Sequence, residues 1–146
     1  MTHSYPTPWN FANTDANLIS PNQHYQVEFG PLYEIAMGAP LGGCCYLLFE
    51  DQKIPLHDWV GGPILWEEKG NKLALPLWTK QRQQQLAIFD PSTFELTTLK
   101  QIYRVLHLTS FSNNQISGID SPIYQPINLQ LNLNTERIDS TKQIKR

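Results

Sequence analysis

Along most of the chain, large apolar residues recur at every second position, and the breaks between such runs carry proline, glycine, asparagine or aspartate. Tyr25, Val27 and Phe29 alternate with His24, Gln26 and Glu28, the period of a strand with one buried face. Ser20-Pro21-Asn22-Gln23 before them reads as a turn, because proline suits its second position and asparagine tolerates unusual backbone angles. After Gly30-Pro31 a second short strand is predicted over residues 32–37, then a loop over residues 38–43 that holds three glycines and a proline. Cys44 to Phe49 is apolar at both parities, which predicts a central strand buried on both faces. Residues 50–53 turn the chain. Residues 54–60 are strand-like, and Pro55 within them predicts an edge.

The second half repeats the pattern. Short strands are predicted over residues 64–66 and 73–78, flanking the turn Glu67-Glu68-Lys69-Gly70, whose glycine stands where a positive φ is needed. Strands over residues 85–90, 94–99 and 102–109 follow, then a turn at Ser112-Asn113-Asn114-Gln115. Ile127, Leu129, Leu131 and Leu133 alternate strictly with Asn128, Gln130, Asn132 and Asn134, the cleanest strand signal in the chain. Two segments are helix candidates. Residues 79–85 hold no apolar side chain, and residues 98–106 place Leu99, Ile102, Tyr103 and Leu106 at helical spacing; β-branched and aromatic content favours strand for the latter. The predicted class is all-β, with about eight to ten short strands forming an antiparallel sandwich or blade-like curved sheets. Three regions are expected: an irregular N-terminal arm (1–18) pinned by Trp9 and Phe11, a single β domain (19–134), and a polar C-terminal tail (135–146) that frays.

Composition narrows the function classes. Of 146 residues only 16% are charged, and 10 Asn plus 12 Gln take the place of the missing charge. A net charge of −2 offers nothing to a polyphosphate backbone over a broad surface, so nucleic acid is not expected as a partner. The longest apolar run is Cys44 to Phe49, too short to span a membrane. Met1-Thr2-His3-Ser4-Tyr5-Pro6 lacks the basic and apolar regions of a secretory signal, so a cytoplasmic protein is expected.

The turns at residues 20–23, 67–70 and 112–115 recur at a spacing close to that of a four-stranded propeller blade. The middle unit carries the better match. Trp66, Gly70, Leu73-Ala74 and Asp90, with Pro63 before them, resemble a blade of the TolB-like β-propeller repeat, with Glu67-Glu68-Lys69 in place of its Ser-Pro-Asp. The first unit keeps Ser20-Pro21-Asn22 but has Gln23 in the glycine position. The resemblance implies blade-like antiparallel strands. The chain is too short for a closed single-chain propeller, since about three blades fit and rings have about four to eight; completion by self-association is then one expectation.

Candidate chemistry is sparse. His57-Asp58 is a suggestive pair, but strand neighbours point to opposite faces, so the pair reads as a polar rim beside Trp59. An enzyme would need His57, Asp58 and His107 in one pocket. Cys44-Cys45 has no accompanying Cys/His pair at metal-ligand spacing and reads as packed small hydrophobes. The loop at residues 38–43 lacks the Lys-Ser/Thr ending of a phosphate loop. Ser110 and Ser112 lack a glycine-flanked elbow. No cofactor and no metal are expected. The acidic pairs Glu50-Asp51 and Glu67-Glu68 sit in turns and are expected to be solvated. Among four tryptophans, Trp59 and Trp78 are candidates for rim-exposed anchors. In size, class and mild acidity the chain resembles the small immunity proteins of bacterial toxin systems, which block a cognate toxin by covering its active site. That resemblance implies a non-catalytic protein-binding domain that meets a basic partner through Glu50, Asp51, Glu67, Glu68, Trp59 and Trp78. A self-assembling module, or an enzyme of unrecognised type, are the alternatives.

Overall fold

A computed structural model describes residues 6–146. Within them the chain is all-β: twelve strands, every pairing antiparallel, and one three-residue 3₁₀ turn at Ala16–Leu18. The strands are β1 (Gln26–Phe29), β2 (Tyr33–Glu34), β3 (Leu41–Phe49), β4 (Gln52–Val60), β5 (Leu65–Trp66), β6 (Leu73–Trp78), β7 (Gln84–Asp90), β8 (Glu95–Tyr103), β9 (Leu106–Ser112), β10 (Gln115–Asp120), β11 (Ile127–Asn132) and β12 (Ile138–Gln143). The large sheet runs β1-β3-β4-β6-β7-β8-β12, with β2 on β3 and β5 on β6; β11-β10-β9 form a separate small sheet. Neither sheet closes on itself.

The large sheet turns a corner between β4 and β6. Those strands share one residue pair, Val60↔Leu77, beside the bond from Gly61 N–H to Pro76 C=O at 2.7 Å. Beyond the corner the two halves contribute side chains to one core. Val27, Phe29, Cys45, Leu47, Ile54 and Leu56 from one half meet Leu73, Leu75, Phe89 and Leu96 from the other. An aromatic chain closes one end of this core: Trp66 stacks on Tyr25 at 5.7 Å, Tyr25 meets Phe49 at 5.2 Å, and Phe49 meets Phe94 at 6.1 Å. A second core lies on the far side of β6–β8, where Ala74, Leu86, Ile88 and Leu99 pack under Leu106, Leu108, Phe111, Ile116 and Leu131 of the small sheet.

This layering corrects several expectations. The strand buried on both faces is β6, all six of whose residues are buried, because it separates the two cores. β3 buries Cys45 and Leu47 on one face and leaves Cys44, Tyr46 and Leu48 half-exposed on the other. β4 lies inside the sheet between β3 and β6, and Pro55 is accommodated where the β3–β4 register shifts, a bulge being the other place where a strand tolerates the missing donor. Residues 79–85 are a turn followed by the start of β7, with no helix. The strand expected over residues 32–37 shrinks to Tyr33–Glu34, and the glycines expected in a loop, Gly42 and Gly43, belong to β3. Residues 95–103 form one strand and no helix, as the β-branched content indicated, but the break expected between residues 99 and 102 falls instead at residues 104–105, and the next strand begins at Leu106. The tail does not fray. β12 pairs with β8, and Ile144 beyond it is 5% exposed, its N–H donating to Phe94 C=O at 2.7 Å.

The arm is anchored as expected. Phe11 is buried against Phe29 at 5.1 Å, and the Trp9 indole donates to Gly38 C=O at 3.3 Å. The three spaced turns meet in space. Asn22 Nδ2 donates to Lys69 C=O at 3.4 Å, and Asn113 N–H donates to Glu67 Oε2 at 3.1 Å, so the middle turn lies between the other two. Gly70 there has φ +79°, and a Cβ on it would stand 2.7 Å from Asn22.

Candidate functional site

The β4–β6 corner brings together two of the predicted anchors. Trp59 leaves the outer face of β4 and Trp78 ends β6; their rings lie 6.1 Å apart at 36°. Gly42 on the neighbouring β3 makes this possible, because a Cβ there would stand 2.8 Å from Trp59 Nε1 and 2.9 Å from the Trp78 ring. Trp78 is 4% exposed and its indole donates to Leu41 C=O at 3.1 Å. It is therefore a wall of the fold and not the exposed rim residue expected from the sequence. Trp59 is half-buried, and its Nε1 finds no acceptor among the described residues.

Beside this pair opens a cleft of about 410 Å³, shared by His57 and Trp59 of β4, Lys80 after β6, Gln85 of β7, Thr98 of β8 and Asp139 of β12. His57 Nδ1 accepts the Trp59 N–H at 3.1 Å, which requires that nitrogen to be unprotonated. Burial holds the His57 imidazole below the ordinary histidine value, and the adjacent Asp58 carboxylate opposes that shift. Gln85 is oriented by donating to Leu99 C=O at 3.1 Å. An aromatic wall with one cation, one anion and several neutral donors can hold a polar side chain or a small polar molecule. Asp58 is exposed and does not line the cleft. His107 belongs to β9 of the small sheet, so the structure does not assemble His57, Asp58 and His107 into one pocket.

The acidic pairs part company. Glu50 and Asp51 form the exposed tip of the β3–β4 hairpin, as expected, beside a groove of about 480 Å³ that includes His24 and Tyr25. Glu68 is exposed. Glu67, expected to be solvated, is 2% exposed. Its carboxylate accepts from the N–H groups of Lys69 at 2.9 Å, Asn71 at 3.4 Å and Asn113 at 3.1 Å, so it ties two turns together and is not free to meet a partner. Cys44 and Cys45 point to opposite faces of β3; Cys45 is fully buried, and burial followed by the neighbouring Cys44 pushes its thiol up. Among the described residues no group of three or more His, Cys, Asp and Glu side chains could hold a metal ion, and no helix is long and apolar enough to cross a membrane.

The sequence reading missed two features. Asp139 and Ser140 reach the cleft on β12, whose polar composition carries no period because every one of its residues is exposed. The β10–β11 corner displays Ile123 and Tyr124 at 75% and 65% exposure. A signal for it existed in the apolar pair placed between two prolines, Pro122 and Pro126. No family model, no curated protein and no solved structure matches this chain.

Proposed function

We propose that this chain is a protein-binding domain that acts by covering a surface of a protein partner, in the manner of an immunity-type inhibitor of a basic toxin domain. The observation that carries the reading is the apolar corner at Ile123 and Tyr124. Two large apolar side chains this exposed and side by side are the composition of an interface anchor. Their backbone is held at its root. The Asp120 carboxylate accepts the N–H groups of Arg104 and Val105 at 3.0 and 3.1 Å, and Ser121 N–H donates to Val105 C=O at 2.9 Å. Arg104 lies over the Tyr124 ring at 5.7 Å. A corner ordered before binding loses little freedom on docking. The acidic hairpin tip, Glu50 and Asp51, supplies a separate electrostatic edge that would steer a basic partner.

Affinity capture with the tagged full chain from its native host, read by mass spectrometry, tests this. A stoichiometric protein partner is expected, and its absence overturns the reading. Tyr124→Ala should weaken that complex by about 2 kcal/mol, roughly thirty-fold, with an unchanged thermal midpoint. Asp51→Lys should slow association and flatten its salt dependence; equal association rates would remove the acidic edge while leaving the corner.

A further inference from the structure

A sheet edge is a row of unpaired N–H and C=O groups, and the long edges of this fold are treated differently. The β1 edge is covered by the preceding turn, which bridges Ile19 to Gln26 and bonds Ser20 N–H to Tyr25 C=O at 2.9 Å. The β12 edge carries Asp139 and Lys142, charges of the kind that blunt edges. β11 lies at the end of the small sheet. From Ser121 to Thr135, a stretch that contains all of β11, there is no Asp, Glu, Lys, Arg or His.

We propose that β11 pairs with β11 of a second copy of this chain, joining two small sheets into one continuous antiparallel sheet. The hydrogen-bond parity selects the register. Leu133 N–H donates to Asn114 C=O at 2.8 Å. Alternation along an antiparallel ladder then turns Ile127, Leu129 and Leu131 toward β10, and leaves the backbone groups of Asn128, Gln130 and Asn132 facing outward. The Asn132 carbonyl already accepts from Thr135 and Glu136 N–H at 3.0 and 3.1 Å, and Pro126 has no N–H to give. A two-fold axis through Leu129 suits both facts. Asn128 exchanges both bonds with the partner's Gln130, and Asn132 N–H donates to the partner's Pro126 C=O, so every outward donor is used. A register centred on Gln130 would instead aim Asn128 N–H at the Asn132 carbonyl that is already filled.

The side chains agree with this pairing. Leu129 meets the partner's Leu129, and Ile127, 59% exposed in the single chain, covers the partner's Leu131. On the other face the Asn128 amide lies opposite the amide of the partner's Gln130. A two-fold interface sets each residue against its own kind of surface, and the neutral strand places no like charges opposite each other.

Sedimentation velocity of the full chain over rising concentration tests the proposal. A reversible monomer–dimer equilibrium in the micromolar range is expected. Gln130→Lys and Asn128→Lys, both at exposed outward positions, should each weaken it at least about tenfold with the thermal midpoint retained. In a Cys44→Ser background, Leu129→Cys should form a covalent dimer under an added oxidised dithiol, since directly opposed residues in a non-hydrogen-bonded pair stand within disulfide reach; Asn128→Cys should not. A chain that stays monomeric throughout, or lysine variants that associate as the parent does, overturns the pairing. Cross-linking through Asn128→Cys instead of Leu129→Cys overturns the register. The test is separate from partner capture, because Tyr124→Ala should leave the dimer intact and Gln130→Lys should leave capture intact.

Discussion

The Glu67 carboxylate gathers three backbone amides, those of Lys69, Asn71 and Asn113, at a place 2% exposed to solvent. Removing it strands those donors away from water, and a buried donor without a partner costs about 1–3 kcal/mol. Glu67→Ala should therefore lower the free energy of unfolding by about 2–4 kcal/mol, whereas Glu68→Ala, one position on and exposed, should change it by less than about 0.5 kcal/mol. Urea denaturation of the two variants checks this, and equal midpoints would refute the structural role of Glu67. The neighbouring identical residues were indistinguishable in the sequence. Which of them is buried depends on Asn113, reached only through folding of the small sheet. The same holds for Trp59 and Trp78, whose partial and complete burial follow from a close approach that Gly42 permits.

At the scale of elements, the β3–β4 hairpin turns through Glu50 and Asp51 with φ +50° and +60°. Positive φ at both central residues is the geometry that matches the twist of the flanking strands, and neither residue is glycine, which adopts it without steric cost. Asp51→Gly should raise stability by about 0.5–1 kcal/mol, read as a higher thermal midpoint; a fall would show that the Asp51 side chain holds the turn. The alternation of Val27 and Phe29, of Leu129, Leu131 and Leu133, and the turn at Glu67–Gly70 were legible because each strand has one face against a core and each turn has its own chemistry. β12 was not legible, since its residues face solvent on both sides and leave no period; its place on β8 is secured by backbone bonds and by Ile144.

For the whole molecule, two cores share the β6–β8 layer, and each sheet carries one histidine whose imidazole burial holds below its ordinary value: His57 on β4 and His107 on β9. At His57 the Asp58 carboxylate opposes the shift and Lys142 adds to it, and at His107 a bond to the Pro6 backbone opposes it. A base whose pKa is lower in the folded chain binds fewer protons there than in the unfolded chain. Stability from this source is complete above the unfolded value of about 6.5 and is lost as the pH falls below it. The thermal midpoint should decline between about pH 7.5 and 5.5, and the decline should be shallower in a His57→Gln/His107→Gln variant. An identical slope in that variant would place the pH dependence elsewhere.

The sequence by itself determined the all-β class with antiparallel sheets, most turns and the facing of the regular strands, because period-two burial and turn chemistry are local properties read over a few residues. Only the tertiary structure decided that β6 and not β3 is buried on both faces, that the three spaced turns meet, that Glu67 is structural and not solvated, and that Asp139 joins Trp59 at one cleft. These depend on where the large sheet bends, at the single Val60↔Leu77 pair, and on which layer covers which face. A bend of that kind is a property of strands distant in sequence, so no local pattern of apolar and polar residues encodes it.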